Sequence, residues 1–136
     1  MKMVAKRGNA EDYTMALVAH DGKKPAMLEW ARRNREALVQ FKLYGTGTTG
    51  GLLHKELHLD ITRLLSGPLG GDAQLGALIA EGKLDCLIFF IDPLSSQPHD
   101  VDVKSLTRLA VLHDTALAMN EETADAILAH MQRKQL

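Results

Sequence analysis

The apolar positions of this chain follow two rhythms. "TMALVAH" (14–20), "FKLY" (41–44), "LDITRLLS" (59–66) and "TALAM" (115–119) are short runs that predict extended structure. "LDCLIFFID" (84–92) is apolar on both faces, so it predicts a strand central in a sheet covered on both sides. Between these runs the spacing becomes helical. In "PAMLEWARRNREALVQF" (25–41), Met27, Leu28, Ala31, Leu38 and Val39 share a face, and Pro25 suits a first turn. "GLLHKEL" (51–57), "AQLGALIAEG" (73–82, stopping at Gly82), "VDVKSLTRLAVLHD" (101–114) and "ETADAILAHMQRK" (122–134) predict four more helices. Residues 1 to 12 are polar and mixed, a loose lead-in.

Strands that alternate with helices imply an α/β fold: a single-domain, doubly wound parallel sheet with helices on both faces, spanning 1–136. Ligands of such sheets bind beyond the carboxyl ends of the strands. The polar clusters all fall there. "HDGKK" follows the first strand, "GTGTTG" the second, "SGPLGGD" the third and "DPLSSQPHDVD" the fourth. Their convergence on one edge says more than any one of them.

Composition narrows the function. The 136 residues suit one domain, and 46% apolar with 24% charged residues is an ordinary globular balance. A net charge of −1 points to neither nucleic acid nor an anionic membrane, and aromatics, at 4%, are too few for base stacking. No apolar run reaches the roughly 18 residues of a membrane span, and no secretory h-region opens the chain. The lone Cys86 sits in an apolar strand, where it reads as a small buried hydrophobe rather than a nucleophile. A reducing, cytoplasmic setting is expected.

Gly45, Gly47 and Gly50 of "YGTGTTGGLL" match the G-x-G-x-x-G dinucleotide spacing. The context does not fit. The loop follows the second strand, and the next strand ends in "LLS" with no carboxylate for a ribose. Asp72 has roughly the right count but lies beyond a second glycine loop. A P-loop fails as well, because Gly51 and Leu52 follow Gly50. Two readings stay open. Amides at a helix start and the hydroxyls of Thr46, Thr48 and Thr49 can wrap a compact phosphate, or the segment is a tight turn without a ligand.

"ALVAHDGKK", "LYGTGTTGGLL", "LLSGPLGGDAQLGALIAEGKLDCLIFFIDPL" and "PHDVDVKSLTRLA" together resemble the methylglyoxal synthase family, from about Ala16 to Glu122. The resemblance implies a lyase that converts dihydroxyacetone phosphate to methylglyoxal and inorganic phosphate. It implies no metal and no organic cofactor, a homohexamer, and inhibition by inorganic phosphate. The family's phosphate-binding positions fall on Lys24, Thr46, Gly47, Thr48, Thr49, Ser66 and Gly67. Its general base falls on Asp72, and supporting acid–base groups on His20, Asp21, His99 and Asp102. Lys24, not Lys23, fits the His-Asp-x-x-Lys spacing. Two departures stand out: Val101 replaces the proline of a His-Asp-Pro-Asp loop, and the chain ends soon after the last helix.

Each assignment has a plainer structural alternative. Asp72 could cap a helix, although a carboxylate there can also take a proton from the carbon beside a carbonyl. "PHDVD" could be an acidic helix start, or His99 could donate to a developing oxyanion while Asp102 moves protons between enediol oxygens. His20 could simply close a strand. A metal held by His20, Asp21, His99 and Asp102 is disfavoured, since a phosphate loop and a lysine would crowd it. His54, His58, His113 and His130 carry no motif and are expected at the surface, with Arg108 on the polar side of its helix. The competing function is a non-catalytic effector-binding regulatory module for phosphorylated metabolites, which needs the threonine loop but not Asp72, His99 and Asp102 together.

Overall fold

The computed structural model describes residues 13–95 and 103–135. Its elements run β1 (Thr14–Ala19), α1 (Lys24–Arg33), α2 (Arg35–Leu38), β2 (Lys42–Thr46), α3 (Gly47–Leu57), β3 (Ile61–Leu64), α4 (Gly71–Ala80), β4 (Cys86–Phe90), α5 (Val103–Leu112), β5 (Ala116–Ala118) and α6 (Glu121–Lys134). All strand pairs are parallel, in the order β3-β2-β1-β4-β5. β1 and β4 are buried along their whole length, as unbroken apolar strands of a two-sided sheet must be.

Alternate β1 residues feed two cores. Met15 and Leu17 pack with Trp30 and Ala31 of α1, Leu53 of α3 and Leu128 of α6. Ala16 and Val18 pack with Leu75 and Ile79 of α4 and Leu106 of α5. The chain therefore winds one way through β1, β2 and β3 under α1 and α3. It then crosses back over α4 to β4 on the opposite face. The strands where winding reverses, β1 and β4, leave a crevice at their carboxyl ends. Trp30 ties the first layer together by donating its Nε1–H to Asp125 Oδ1 at 2.8 Å.

Several boundaries differ from the sequence-based expectation, and three of them shape the site. The helix expected over 25–41 breaks at Asn34, whose Nδ2 donates to Trp30 O at 2.8 Å, so the side chain competes for a helical carbonyl. The strand expected at 41–44 runs instead to Thr46, and α3 begins at Gly47 rather than Gly51. The "loop" is thus the end of a strand joined directly to the first turn of a helix.

The glycines explain how that junction closes. A Cβ on Gly45 would lie 2.8 Å from Gly50 Cα and 2.9 Å from Ile61 Cδ1, and one on Gly50 would lie 2.9 Å from Gly45 O. Strand and helix touch through bare backbone. Gly45→Ala should cost about 1–3 kcal/mol through overpacking. Urea denaturation measures this, and stability equal to the parent's would show that the contact yields freely.

Candidate functional site

Three strand-to-helix connections meet in one small cavity of about 200 Å³. It is lined by Ala19, His20, Asp21 and Lys24 after β1, by Thr46, Gly47, Thr48 and Thr49 at the β2–α3 junction, and by Ser66, Gly67 and Pro68 after β3. Drug-sized ligands take roughly 300–1,000 Å³, so this space suits a smaller molecule and not a dinucleotide.

The α3 turn is the donor-rich wall. Thr46 is the N-cap residue, yet its side chain makes no capping bond. The first-turn N–H groups of a helix have no partner within the helix, and here they open at the cavity wall. Thr46 and Thr49 are buried at 5% and 2% exposure, while Thr48 is exposed at the mouth. Gly47 (φ +27) is pressed against the next loop, where its Cβ would meet Ser66 Cα at 2.7 Å. Two walls of the cavity are therefore in direct backbone contact.

The β1 connection supplies the cation. A single helical turn at Asp21–Lys23 leads into α1, with Pro25 in its first turn. Lys24 Nζ donates to Asp21 Oδ1, with the lysine side chain 22% exposed and the aspartate 69%. Lys24 lines the cavity and Lys23 does not.

His20 is nearly buried, with its ring edge-on to Phe89 at 5.1 Å between centroids. The backbone N–H of Asp92 donates to His20 Nδ1 at 3.0 Å. A nitrogen that accepts carries no proton, so the neutral ring holds its proton on Nε2. His20 is thereby set as a donor through Nε2, and Nδ1 is unavailable as a base. Asp92 is itself fixed: Oδ1 accepts from Leu94 N at 3.1 Å, and Oδ2 lies where a Gly22 Cβ would be, at 2.4 Å.

Asp72 opens α4 just past the Ser66–Pro68 wall. It is half-buried, its Oδ1 is buried, and it is not among the residues lining the cavity. It is not the cap either, because Gly70 holds that position. Backbone bonds from Leu69 N and Gly71 N to Ser66 O, at 3.0 and 2.9 Å, tie the loop to the helix start. Gln74 Oε1 accepts from Leu65 N at 2.8 Å. Gly70 has φ +123, and a Gly71 Cβ would lie 2.2 Å from Leu65 O. The glycine pair thus fixes the place of Asp72 by close packing and backbone shape, not by looseness.

Nine expected site residues share this cavity: His20, Asp21, Lys24, Thr46, Gly47, Thr48, Thr49, Ser66 and Gly67. His99 and Asp102 lie outside the described residues. Asp92 joins the site without having been expected there, since its only sequence signal is a carboxylate closing the apolar run "LIFFID". His54, His58, His113, His130 and Arg108 are exposed, and Cys86 is buried, as expected. Among the described residues, no helix is long and apolar enough to cross a membrane.

Fold and cavity define an α/β protein with a small, donor-lined site at the carboxyl edge of a parallel sheet. The family model described as "MGS-like domain" matches residues 26–119. The methylglyoxal synthase of Rhizobium rhizogenes is 59% identical over 115 residues, which cover 84% of this chain and 91% of that protein. The methylglyoxal synthase of Pseudoalteromonas atlantica is 56% identical over 115 residues, 85% of each chain. The crystal structure of methylglyoxal synthase from Elizabethkingia anophelis superposes with a TM-score of 0.84 at 47% identity, covering 90% of this chain and 80% of that one. The chain belongs to the methylglyoxal synthase family.

The tautomer of His20 can be read directly. Nitrogen-15 NMR of the neutral ring should show a protonated Nε2 and a bare Nδ1. The reverse pattern would mean that the Asp92 bond does not form in solution.

Proposed function

We propose that this chain is a lyase that converts dihydroxyacetone phosphate to methylglyoxal and inorganic phosphate. The observation that carries the reading is the convergence of Lys24, the threonine turn and the Ser66–Gly67 loop on one small cavity, in a chain more than half identical to proteins named for that activity. The regulatory-module alternative gains nothing from those relatives.

The chemistry follows from what the groups can do. Asp72 takes a proton from the hydroxymethyl carbon, and the electron pair moves to the carbonyl oxygen as an enediolate. Negative charge builds on that oxygen, and donors already in place stabilise it. His20, with its proton on Nε2, is one such donor, and His99 is a second by resemblance. By resemblance, Asp102 and Asp21 help a proton pass between the two enediol oxygens. The oxygen on the former hydroxymethyl carbon then pushes its electrons in. The carbon–oxygen bond to phosphate breaks, and the pair leaves on the phosphate. The enol left behind takes up a proton at its methylene carbon, loses the one on its hydroxyl oxygen and becomes methylglyoxal.

The phosphate site decides whether that last break happens. Lys24 supplies a full charge, and the α3 amides and threonine hydroxyls supply directed donors. Held from several sides, the carbon–oxygen bond can stand perpendicular to the enediol plane, where its breakage is favoured over reprotonation. No step in this scheme calls on a metal or organic cofactor. Free phosphate fits the same donors and should inhibit. We also place the protein in the cytoplasm as a homohexamer. The exposed apolar residues Leu69 (72%), Leu94 (95%), Val111 (75%) and Leu112 (72%) support self-association.

Incubation with dihydroxyacetone phosphate should release methylglyoxal and phosphate in equal amounts, and phosphate binding without turnover would favour the regulatory module instead. Asp72→Asn should lower kcat by about 10²–10⁴ while leaving phosphate affinity nearly unchanged. Turnover within a few-fold of the parent would remove Asp72 as the base.

Thr48→Val keeps the side-chain shape and deletes one donor. A hydrogen bond to a charged group is worth roughly 1.5–3 kcal/mol, so phosphate affinity should fall about tenfold or more. Titration calorimetry checks this, and an unchanged affinity would take the Thr48 hydroxyl out of the phosphate site.

A further inference from the structure

Arg63 has no place in the scheme above, yet it is docked on the back of the threonine turn. It lies on the edge strand β3, in register with Gly45. Its side chain runs across the first turns of α3 through a groove that exists only because two successive helical residues are glycines. A Cβ on Gly50 would lie 3.2 Å from Arg63 Cγ, and one on Gly51 would lie 2.9 Å from a terminal guanidinium nitrogen. That nitrogen reaches the carbonyl of Gly47, a cavity-lining residue, at 3.4 Å.

The charge of Arg63 is in an unusual place. The N-terminal turn of a helix carries partial positive charge and disfavours a cation. No ion pair joins Arg63 to a carboxylate among the described residues. The groove also costs helix stability, since glycine within a helix is disfavoured by up to about 1 kcal/mol relative to alanine. A cation at the positive end of a helix, in a groove the helix weakens itself to provide, makes electrostatic sense once an anion binds on the other side of that turn.

We infer that Arg63 is a positioning residue for the phosphate site: from behind the threonine turn it orients the Gly47 peptide and adds positive field at the bound anion. This rests on the phosphate-site reading given above. It does not touch the ligand, so its effect is smaller than that of Lys24 and is screened by salt.

Inorganic phosphate titrated by calorimetry into the full chain tests it. Arg63→Met keeps the stem and should weaken phosphate binding about three- to tenfold at low ionic strength, with the difference shrinking in about 0.5 M salt. KM for the phosphorylated substrate should rise in step, with kcat moving less than about twofold. Arg63→Lys keeps the charge and should stay within about twofold of the parent. Gly51→Ala adds a methyl that only the flexible guanidinium must avoid. It should leave thermal stability equal or raised while weakening phosphate binding, a combination that a merely structural role cannot produce. A parent that binds phosphate with the Met variant equal to it, or with Met and Lys variants equally impaired, overturns the role of Arg63 alone. A parent that binds no phosphate overturns the site itself, and this inference with it.

Discussion

The contact between Gly45 and Gly50 is the constraint on which the site depends. Backbone meets backbone where β2 passes into α3, with no side chain between them. That approach brings the start of α3 down onto the carboxyl end of the sheet. The helix then begins at Gly47, with no connecting loop. Its first-turn amides stand at the wall of the cavity with the threonine hydroxyls beside them. Had a side chain stood at Gly45 or Gly50, the helix would ride higher and the donors would point past a ligand in the crevice. The same glycine spacing serves dinucleotide folds for the same packing reason. Here it operates one strand later and builds a site too small for a dinucleotide.

Much of this was legible in the sequence, because the signals were local. Unbroken apolar strands such as "LDCLIFFID" can only be interior, and the helical stripes between them enforce alternation and hence a parallel sheet. Gly82, with φ +72, ends α4 as its position suggests. Clustering of polar segments after successive strands identified the edge where the cavity lies. Other features were invisible because they depend on particular contacts that no apolar or polar pattern records. Asn34 breaks the first helix through a carbonyl four residues back, within a run whose apolar spacing continues smoothly. The loop after β3 gave no hint that Gly71 is pinned under Leu65. His20 could be read as a polar strand end, but its tautomer is fixed by a backbone amide 72 positions away. No pattern within either segment reports that bond.

The bond between His20 and Asp92 shows how the crevice divides its labour. β1 and β4 are the neighbours at which the winding reverses, and their connections depart to opposite faces. His20 closes one strand and Asp92 follows the other, and a single N–H to Nδ1 bond joins them across the crevice. The bond consumes the basic nitrogen of the ring and leaves the donor nitrogen. A histidine at a phosphate site could otherwise serve as acid, base or cation. Here the Asp92 N–H bond leaves Nε2 as the ring's donor, and the proposed scheme leaves proton abstraction to a carboxylate. In the proposed scheme that carboxylate is Asp72, held on a separate helix.

The pairing of Lys24 with Asp21 bears on how charge is balanced at the cavity. A lone ammonium beside a helix N-terminus would raise the local potential with nothing to offset it. Asp21 provides the offset from an exposed position, so the pair is bridged while its anionic half stays close to solvent. An exposed ion pair is worth little, about 1 kcal/mol or less. In the proposed function, a phosphate arriving among the α3 amides therefore has only a weak competitor to displace. A weak partner at the surface leaves the lysine beside the cavity, and on the proposed reading its charge and the helix terminus together favour an anion there.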